Sequence, residues 1–137
     1  MTRTFLDASY VVALEWRDDQ SHASAITHWS TLKVDPGTLV TTSFVIDEVV
    51  TFFATRGMHR KAVEIGHWLF SSPALDVVWV TEELVRDGFE YLKRRSDKRY
   101  SLTDCISFVL MDRQGVGEAL TFDGHFEQAG FVRLPRP

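Results

Sequence analysis

Short apolar runs that stop at a polar residue recur along this chain with helix-length segments between them, and no other feature restricts the fold as tightly. Phe5-Leu6 ends at Asp7, Leu39-Val40 runs into Thr41-Thr42-Ser43, Val77-Val78-Trp79-Val80 ends at Thr81, and Ala119-Leu120-Thr121-Phe122 ends at Asp123. Phe131-Val132-Arg133-Leu134 is a fifth such run, before Pro135. Short apolar runs bounded in this way read as buried strands. After Ser43, the apolar residues Val45, Val49, Phe52 and Phe53 keep helical spacing until Gly57. Arg60 to Phe70 forms a further helix with Pro73 as its stop, and the segment after Thr81 opens on Glu82-Glu83 and closes on Lys93-Arg94-Arg95, charges that suit the two ends of a helix dipole. Leu102, Cys105, Ile106, Val109 and Leu110 mark a helix behind Ser101 that ends near Gly115, and Val11 to Leu32 has room for one or two helices. Strands joined by helices of this length need crossovers and pair in parallel, with both faces covered. The sequence predicts an α/β protein: a single three-layer α/β/α domain over residues 1–137 with a mostly parallel sheet of four or five strands.

The charge balance limits what such a domain can bind unaided. Fifteen Lys+Arg against nineteen Asp+Glu give a net charge of −4. Nucleic acid is repelled by the chain as a whole and must be met by a local basic patch or by bound cations. The lone cysteine, Cys105, excludes an internal disulfide and Cys-rich zinc sites, and its apolar helix predicts that it only packs. The start reaches Asp7 without a signal-peptide apolar stretch, and no window approaches the roughly 18 apolar residues that cross a bilayer, so a cytoplasmic location without a membrane partner is expected.

Carboxylates fall where an open parallel sheet does chemistry, just past strand ends. Asp7 and Asp123 each follow a strand, although a helix N-cap or turn would also select Asp there. Ser101-Leu102-Thr103-Asp104 has the spacing of a capping box at the start of a helix that must be buried. An acid in that setting needs partners. Glu48 has Phe44, Val45 and Phe52 as helical neighbours, which puts it toward the apolar side, whereas Asp47 lies beside Ser43 and Thr51 and faces water. If Asp7, Glu48, Asp104 and Asp123 open onto one end of the sheet, their repulsion calls for a hard cation such as Mg²⁺ or Mn²⁺. His22, His28, His59, His67 and His125 show no ligand-like pairing with cysteine or with one another. Such a site favours phosphoryl chemistry, and neither a Gly-x-Ser-x-Gly elbow nor a Gly-Lys-Ser/Thr phosphate loop occurs.

Four segments in order carry a family likeness: Phe5-Leu6-Asp7-Ala8-Ser9, Thr42 to Val49, Ser101 to Phe108, and Thr121 to Phe126 with Gly130-Phe131. Together they resemble the motifs of PIN-domain ribonucleases, most closely the VapC-type toxins of type II toxin–antitoxin pairs. The resemblance implies that Asp7, Glu48, Asp104 and Asp123 are catalytic and hold Mg²⁺ or Mn²⁺. It implies that a metal-activated water cleaves RNA, and that Ser9, Thr103 and Thr121 support the acids through hydrogen bonds. It also implies a homodimer and a cognate antitoxin that blocks the acids. Some relatives carry a further acid soon after the fourth aspartate, where this chain has Gly124, His125 and Phe126.

For the RNA itself, the sequence offers the basic cluster Lys93, Arg94, Arg95, Lys98 and Arg99 beside the Asp104 helix, which could grip phosphates or could simply be a solvated helix end. A second, weaker cluster comprises Arg56, His59, Arg60 and Lys61. Trp16, Trp29, Trp68 and Trp79 sit in apolar contexts and are expected in the core. The alternative to a nuclease is a catalytically silent PIN-like or receiver-like Mg²⁺-binding interaction module. A receiver would want paired acids after its first strand and a late lysine, but Asp7 stands alone and no lysine follows Lys98.

Overall fold

In the computed structural model, which describes residues 2–137, strands and helices alternate. The order is β1 (Thr4–Leu6), α1 (Ala8–Glu15), α2 (His22–Thr31), β2 (Leu39–Thr42), α3 (Ser43–Ala54), α4 (His59–Ser71), β3 (Leu75–Val78), α5 (Glu82–Lys93), α6 (Leu102–Gln114), β4 (Glu118–Leu120), α7 (His125–Gln128) and β5 (Val132–Leu134). The strands form one sheet in the order β3-β2-β1-β4-β5, and each neighbouring pair is parallel. From the central β1 the chain builds β2 and β3 on one side, then returns to build β4 and β5 on the other. The order reverses between β1 and β4, and there an open parallel sheet leaves a crevice beyond its carboxyl ends.

Helices α1 to α4 contact one another and α5 to α7 form a second group, the two helical layers around the sheet. Phe5, Leu6, Val40, Ala119 and Leu120 from the inner strands are essentially inaccessible, as are Phe53, Phe108 and Phe126 from the helices. Phe108 meets the rings of Phe126 and Tyr100 edge-on at 5.0 and 5.1 Å. That buried aromatic cluster fixes α6 and α7 to the sheet, and both bear on the crevice.

The helices expected from the sequence all form, and the Val11–Leu32 region divides into α1 and α2. Two strands end earlier than their apolar runs. β3 occupies Leu75–Val78 because among the described residues it pairs with β2 alone, whose last residue, Thr42, pairs with Val78 and then caps α3. β4 stops at Leu120, opposite the last residue of β1. Two tryptophans are likewise not core: Trp68 is 40% and Trp79 64% exposed, with Trp79 just past β3 and stacked on exposed Phe70 at 5.9 Å. Trp16 and Trp29 are half-buried against the core as expected.

Gly88 permits the close approach of α5 to α6. A Cβ built there would stand 2.5 Å from Ile106 Cγ1 and 3.2 Å from the Ile106 backbone. Alanine favours helix over glycine by about 1 kcal/mol, yet overpacking against backbone costs about 1–3 kcal/mol. Gly88→Ala is therefore expected to lower the urea midpoint, and a raised midpoint would mean that the two helices separate freely.

Candidate active site

Asp7 follows β1 directly and caps α1, so the local and the functional readings of this residue coincide. Only 6% exposed, its Oδ2 accepts hydrogen bonds from Ser9 Oγ at 2.6 Å, Thr121 Oγ1 at 2.8 Å and the Ser9 backbone N–H at 3.3 Å. Burial nevertheless dominates and pushes the carboxyl up to about 6; the bonds from Ser9 and Thr121 pull against that, and the charges of Asp104 and Asp123 add to it. Thr121 also accepts the Asp123 backbone N–H at 2.9 Å, so one hydroxyl ties together the ends of β1 and β4. Ser9 closes the loop by accepting from the Phe122 N–H at 2.9 Å.

Asp104 sits in the first turn of α6. The capping box predicted from its spacing is present: Ser101 Oγ accepts from the Asp104 N–H at 3.0 Å and Asp104 Oδ2 from the Ser101 N–H at 3.2 Å. Burial raises the Asp104 carboxyl, the Ser101 bond opposes this, and Asp123 adds its repulsion. Asp123 turns the chain into α7 by accepting the His125 backbone N–H at 2.9 Å on Oδ1.

Glu48 departs from expectation in one respect. As a whole residue it is exposed at the rim, rather than lying on the apolar side of α3. It still lines the same cleft as Asp7, Asp104 and Asp123. Lost hydration and then the charges of Asp7, Asp104, Asp123 and Asp47 raise its carboxyl to about 7. Asp47 is exposed outside the cleft and accepts from Thr51 Oγ1 at 3.2 Å.

Four acids from four separate elements thus meet at the switch point. Such a set has two ways to lower its energy, protonation or a cation, and burial with mutual repulsion raises the Asp7, Glu48 and Asp104 carboxyls. Hard oxygen donors fit Mg²⁺ or Mn²⁺. A separate apolar cavity, walled by Leu6, Val11, Leu14, Trp29, Ile65 and Trp68, holds one carboxylate, Glu15, already 3.6 Å from Lys61.

The supporting residues divide. Ser9 and Thr121 bond Asp7, but among the described residues no hydrogen bond joins the Thr103 hydroxyl to an acid; its backbone carbonyl accepts from Ser107 Oγ inside α6. Of the basic cluster, Arg99 alone lines the cleft. Lys93 is engaged with Glu90 at 3.0 Å and Lys98 with Asp97 at 3.7 Å, while Arg95 lies over the Tyr91 ring at 3.3 Å and donates to the Tyr91 carbonyl. Arg94 is exposed at the C-cap of α5, away from the cleft lining. In the weaker cluster, Arg56 covers the Phe52 ring at 3.6 Å.

Sequence reasoning missed His125 and Asp19, which also line the cleft. The imidazole Nδ1 of His125 lies 3.2 Å from Asp104 Oδ2 and 3.4 Å from Asp123 Oδ1. A search for His–His or His–Cys spacing cannot find a histidine whose partners are carboxylates, one of them on another helix. Asp19 belongs to the turn between α1 and α2, where its side chain accepts the Ser21 N–H at 2.8 Å, and nothing in its sequence context distinguishes it.

The chain is similar to known proteins. The PIN domain family matches residues 4–132. The 23S rRNA-specific endonuclease VapC20 of Mycobacterium tuberculosis, from two strains, is 33% identical over 130 residues, covering 95% of this chain and 96% of the relative. The crystal structure of Mycobacterium tuberculosis VapC20, described as a Sarcin-Ricin loop cleaving toxin, superposes with a TM-score of 0.84 at 32% identity over 94% of this chain and 96% of that one. DNA-bound VapBC from Salmonella typhimurium (TM-score 0.66, 10% identity, 97% of each chain) and FitAcB from Neisseria gonorrhoeae (0.67, 13%, 95% of each) share the fold.

Proposed function

The chain belongs to the PIN-domain family, and we propose that it is a metal-dependent endoribonuclease whose Asp7, Glu48, Asp104 and Asp123 hold Mg²⁺ or Mn²⁺. The observation that carries this reading is the convergence of four acids, more than a hundred residues apart at the extremes, in one cleft at the switch point of the sheet. When bound, the ion supplies Lewis acidity that lowers the pKa of water and neutralises charge building on the phosphate oxygens.

The chain's own residues have distinct tasks. Ser9 and Thr121 donate to one oxygen of Asp7, which fixes the carboxylate plane and leaves Oδ1 free of these bonds for the cleft. Asp104 and Asp123 are oriented by backbone N–H groups, so neither depends on a mobile partner. Arg99, at the mouth, meets the phosphate backbone, the local positive charge that a chain of net −4 requires. Glu48, exposed at the rim with its carboxyl raised to about 7, would hold the ion in its deprotonated form.

By likeness to the 33%-identical relative, the substrate we propose is ribosomal RNA, with the sarcin–ricin loop of 23S rRNA the first target. A toxin role rests on the same likeness, and a cognate antitoxin and a homodimer, which the family resemblance implies, belong to the same proposal; the exposed Phe70–Trp79 stack is an apolar face of the kind that association buries. No helix among the described residues is long and apolar enough to cross a membrane.

Purified protein is expected to cut 23S rRNA in intact ribosomes when Mg²⁺ or Mn²⁺ is present, and to stop in EDTA. Full cleavage in EDTA would overturn the metal mechanism. Glu48→Gln should lower the rate roughly a hundredfold, on the scale of several kcal/mol that a cation site supplies, and Asp47→Asn should leave it near wild type. The reverse ranking would assign the wrong face of α3 to the cleft.

A further inference from the structure

His125 is the group in the cleft that an all-carboxylate site does not explain. Its ring is held from several sides. The backbone N–H donates to Asp123 Oδ1 at 2.9 Å, and the ring of Tyr100, itself 8% exposed, packs edge-on with centroids 5.3 Å apart. These contacts leave Nδ1 at 3.2 Å from Asp104 Oδ2 and 3.4 Å from Asp123 Oδ1. One ligand atom from each of the three residues lies within 4.8 Å of the other two. Donors that share an octahedral ion at about 2.1 Å stand about 3.0 Å apart when adjacent and about 4.2 Å apart when opposite. Both short distances from Nδ1 match adjacent positions.

Resting on the reading that these acids hold a divalent cation, we propose that His125 Nδ1 is a ligand of the ion held by Asp104 and Asp123, and that the site therefore takes Mn²⁺ ahead of Mg²⁺. Mg²⁺ is a hard ion that prefers oxygen and keeps its waters, so an imidazole in place of oxygen gains it little. Mn²⁺ suits carboxylate ligands as Mg²⁺ does but belongs to the first-row transition series, whose ions bind mixed nitrogen and oxygen sites.

The alternative role for His125 is positioning, in which Nδ1–H donates to Asp104 and touches no ion. The two roles differ in ion dependence. A positioning residue moves the carboxylates and weakens every ion in proportion, whereas a nitrogen ligand matters mainly to the ion that values nitrogen.

The test uses the Mn²⁺-loaded full chain and pulsed electron paramagnetic resonance, which detects an imidazole nitrogen coupled to the metal. Wild type is expected to show the nitrogen modulation, and His125→Ala and His125→Asn to lack it. Titration should show Mn²⁺ affinity falling about tenfold or more in both variants, at least the loss typical of a disturbed metal shell, with Mg²⁺ affinity unchanged. His125→Asn retains an amide donor, so recovery of Mn²⁺ affinity in that variant alone would establish positioning and overturn the proposal. Mn²⁺ bound to wild type without nitrogen modulation would overturn it as well, leaving the carboxylate site intact. If wild type binds neither ion, or Asp7→Asn combined with Asp104→Asn leaves binding unchanged, the metal-nuclease reading itself fails.

Discussion

Asp7→Asn is expected to abolish RNA cleavage and, in the same molecule, to raise the melting temperature of the ion-free protein at pH 8. The loss of activity follows from removing a charged oxygen at the centre of the site. A cation contributes several kcal/mol to the transition state, and at 1.36 kcal/mol per tenfold in rate that is about a thousandfold or more. The gain in stability follows from burial. The Asp7 carboxyl is raised from 3.8 to about 6, so holding it ionised at pH 8 costs about 3 kcal/mol relative to the unfolded chain. Asparagine carries no charge, serves equally well as an N-cap, and can still accept from Ser9 and Thr121 through its amide oxygen. Differential scanning calorimetry in EDTA, set beside a cleavage assay in Mg²⁺, reads both effects. An unchanged or lowered melting temperature would mean that hydrogen bonds to the carboxylate outweigh its desolvation; retained cleavage would remove Asp7 from the chemistry.

The sequence reveals most where one residue satisfies a local rule and a global one together. Asp7 and Asp104 are legible because capping a helix and facing the cleft require the same acid at the same place, and the Ser101–Asp104 capping box was visible from spacing alone. The five strands are legible as apolar runs, but their ends are not. Val80 and Phe122 continue the apolar pattern, yet strand length is set by the neighbour's last hydrogen-bonding residue, Thr42 for β3 and Leu6 for β4. The exposure of Trp79 has the same origin, since it lies one residue beyond the last pair. Basic residues were the least legible. Lys93, Arg95 and Arg99 look alike in sequence, but whether a long cation reaches the cleft or folds back on Glu90 or Tyr91 depends on tertiary neighbours. His125 escaped because its partners, Asp104 and Asp123, come together only through the packing of α6 against α7.

The second large effect expected is a coupling between pH and the ion. Asp7 and Glu48 are raised to about 6 and about 7 in the folded protein, from 3.8 and 4.5. Between about pH 4 and 7 the folded state therefore binds more protons than the unfolded chain, and stability falls as pH rises through that window. Desolvation of the carboxylates and their mutual repulsion both act in this direction. A divalent cation binds the deprotonated form, so it displaces those protons and its apparent affinity rises over the same pH range. In EDTA the melting temperature should decline from pH 5 to pH 8. With Mg²⁺ or Mn²⁺ at about a hundred times its dissociation constant, binding adds about 2.7 kcal/mol, which should cancel most of the decline at pH 8 and have little effect at pH 5. Isothermal titration at pH 6 in two buffers of different ionisation enthalpy should register proton release on ion binding. A melting temperature that rises with pH in EDTA, or an ion that stabilises equally at pH 5 and pH 8, would show that the four acids do not share one site. Because Asp7→Asn removes one of the two raised carboxyls and its repulsion of Glu48, it should reduce the decline in EDTA and shrink the cation's effect together, which ties the titration to the same residue whose loss stops cleavage.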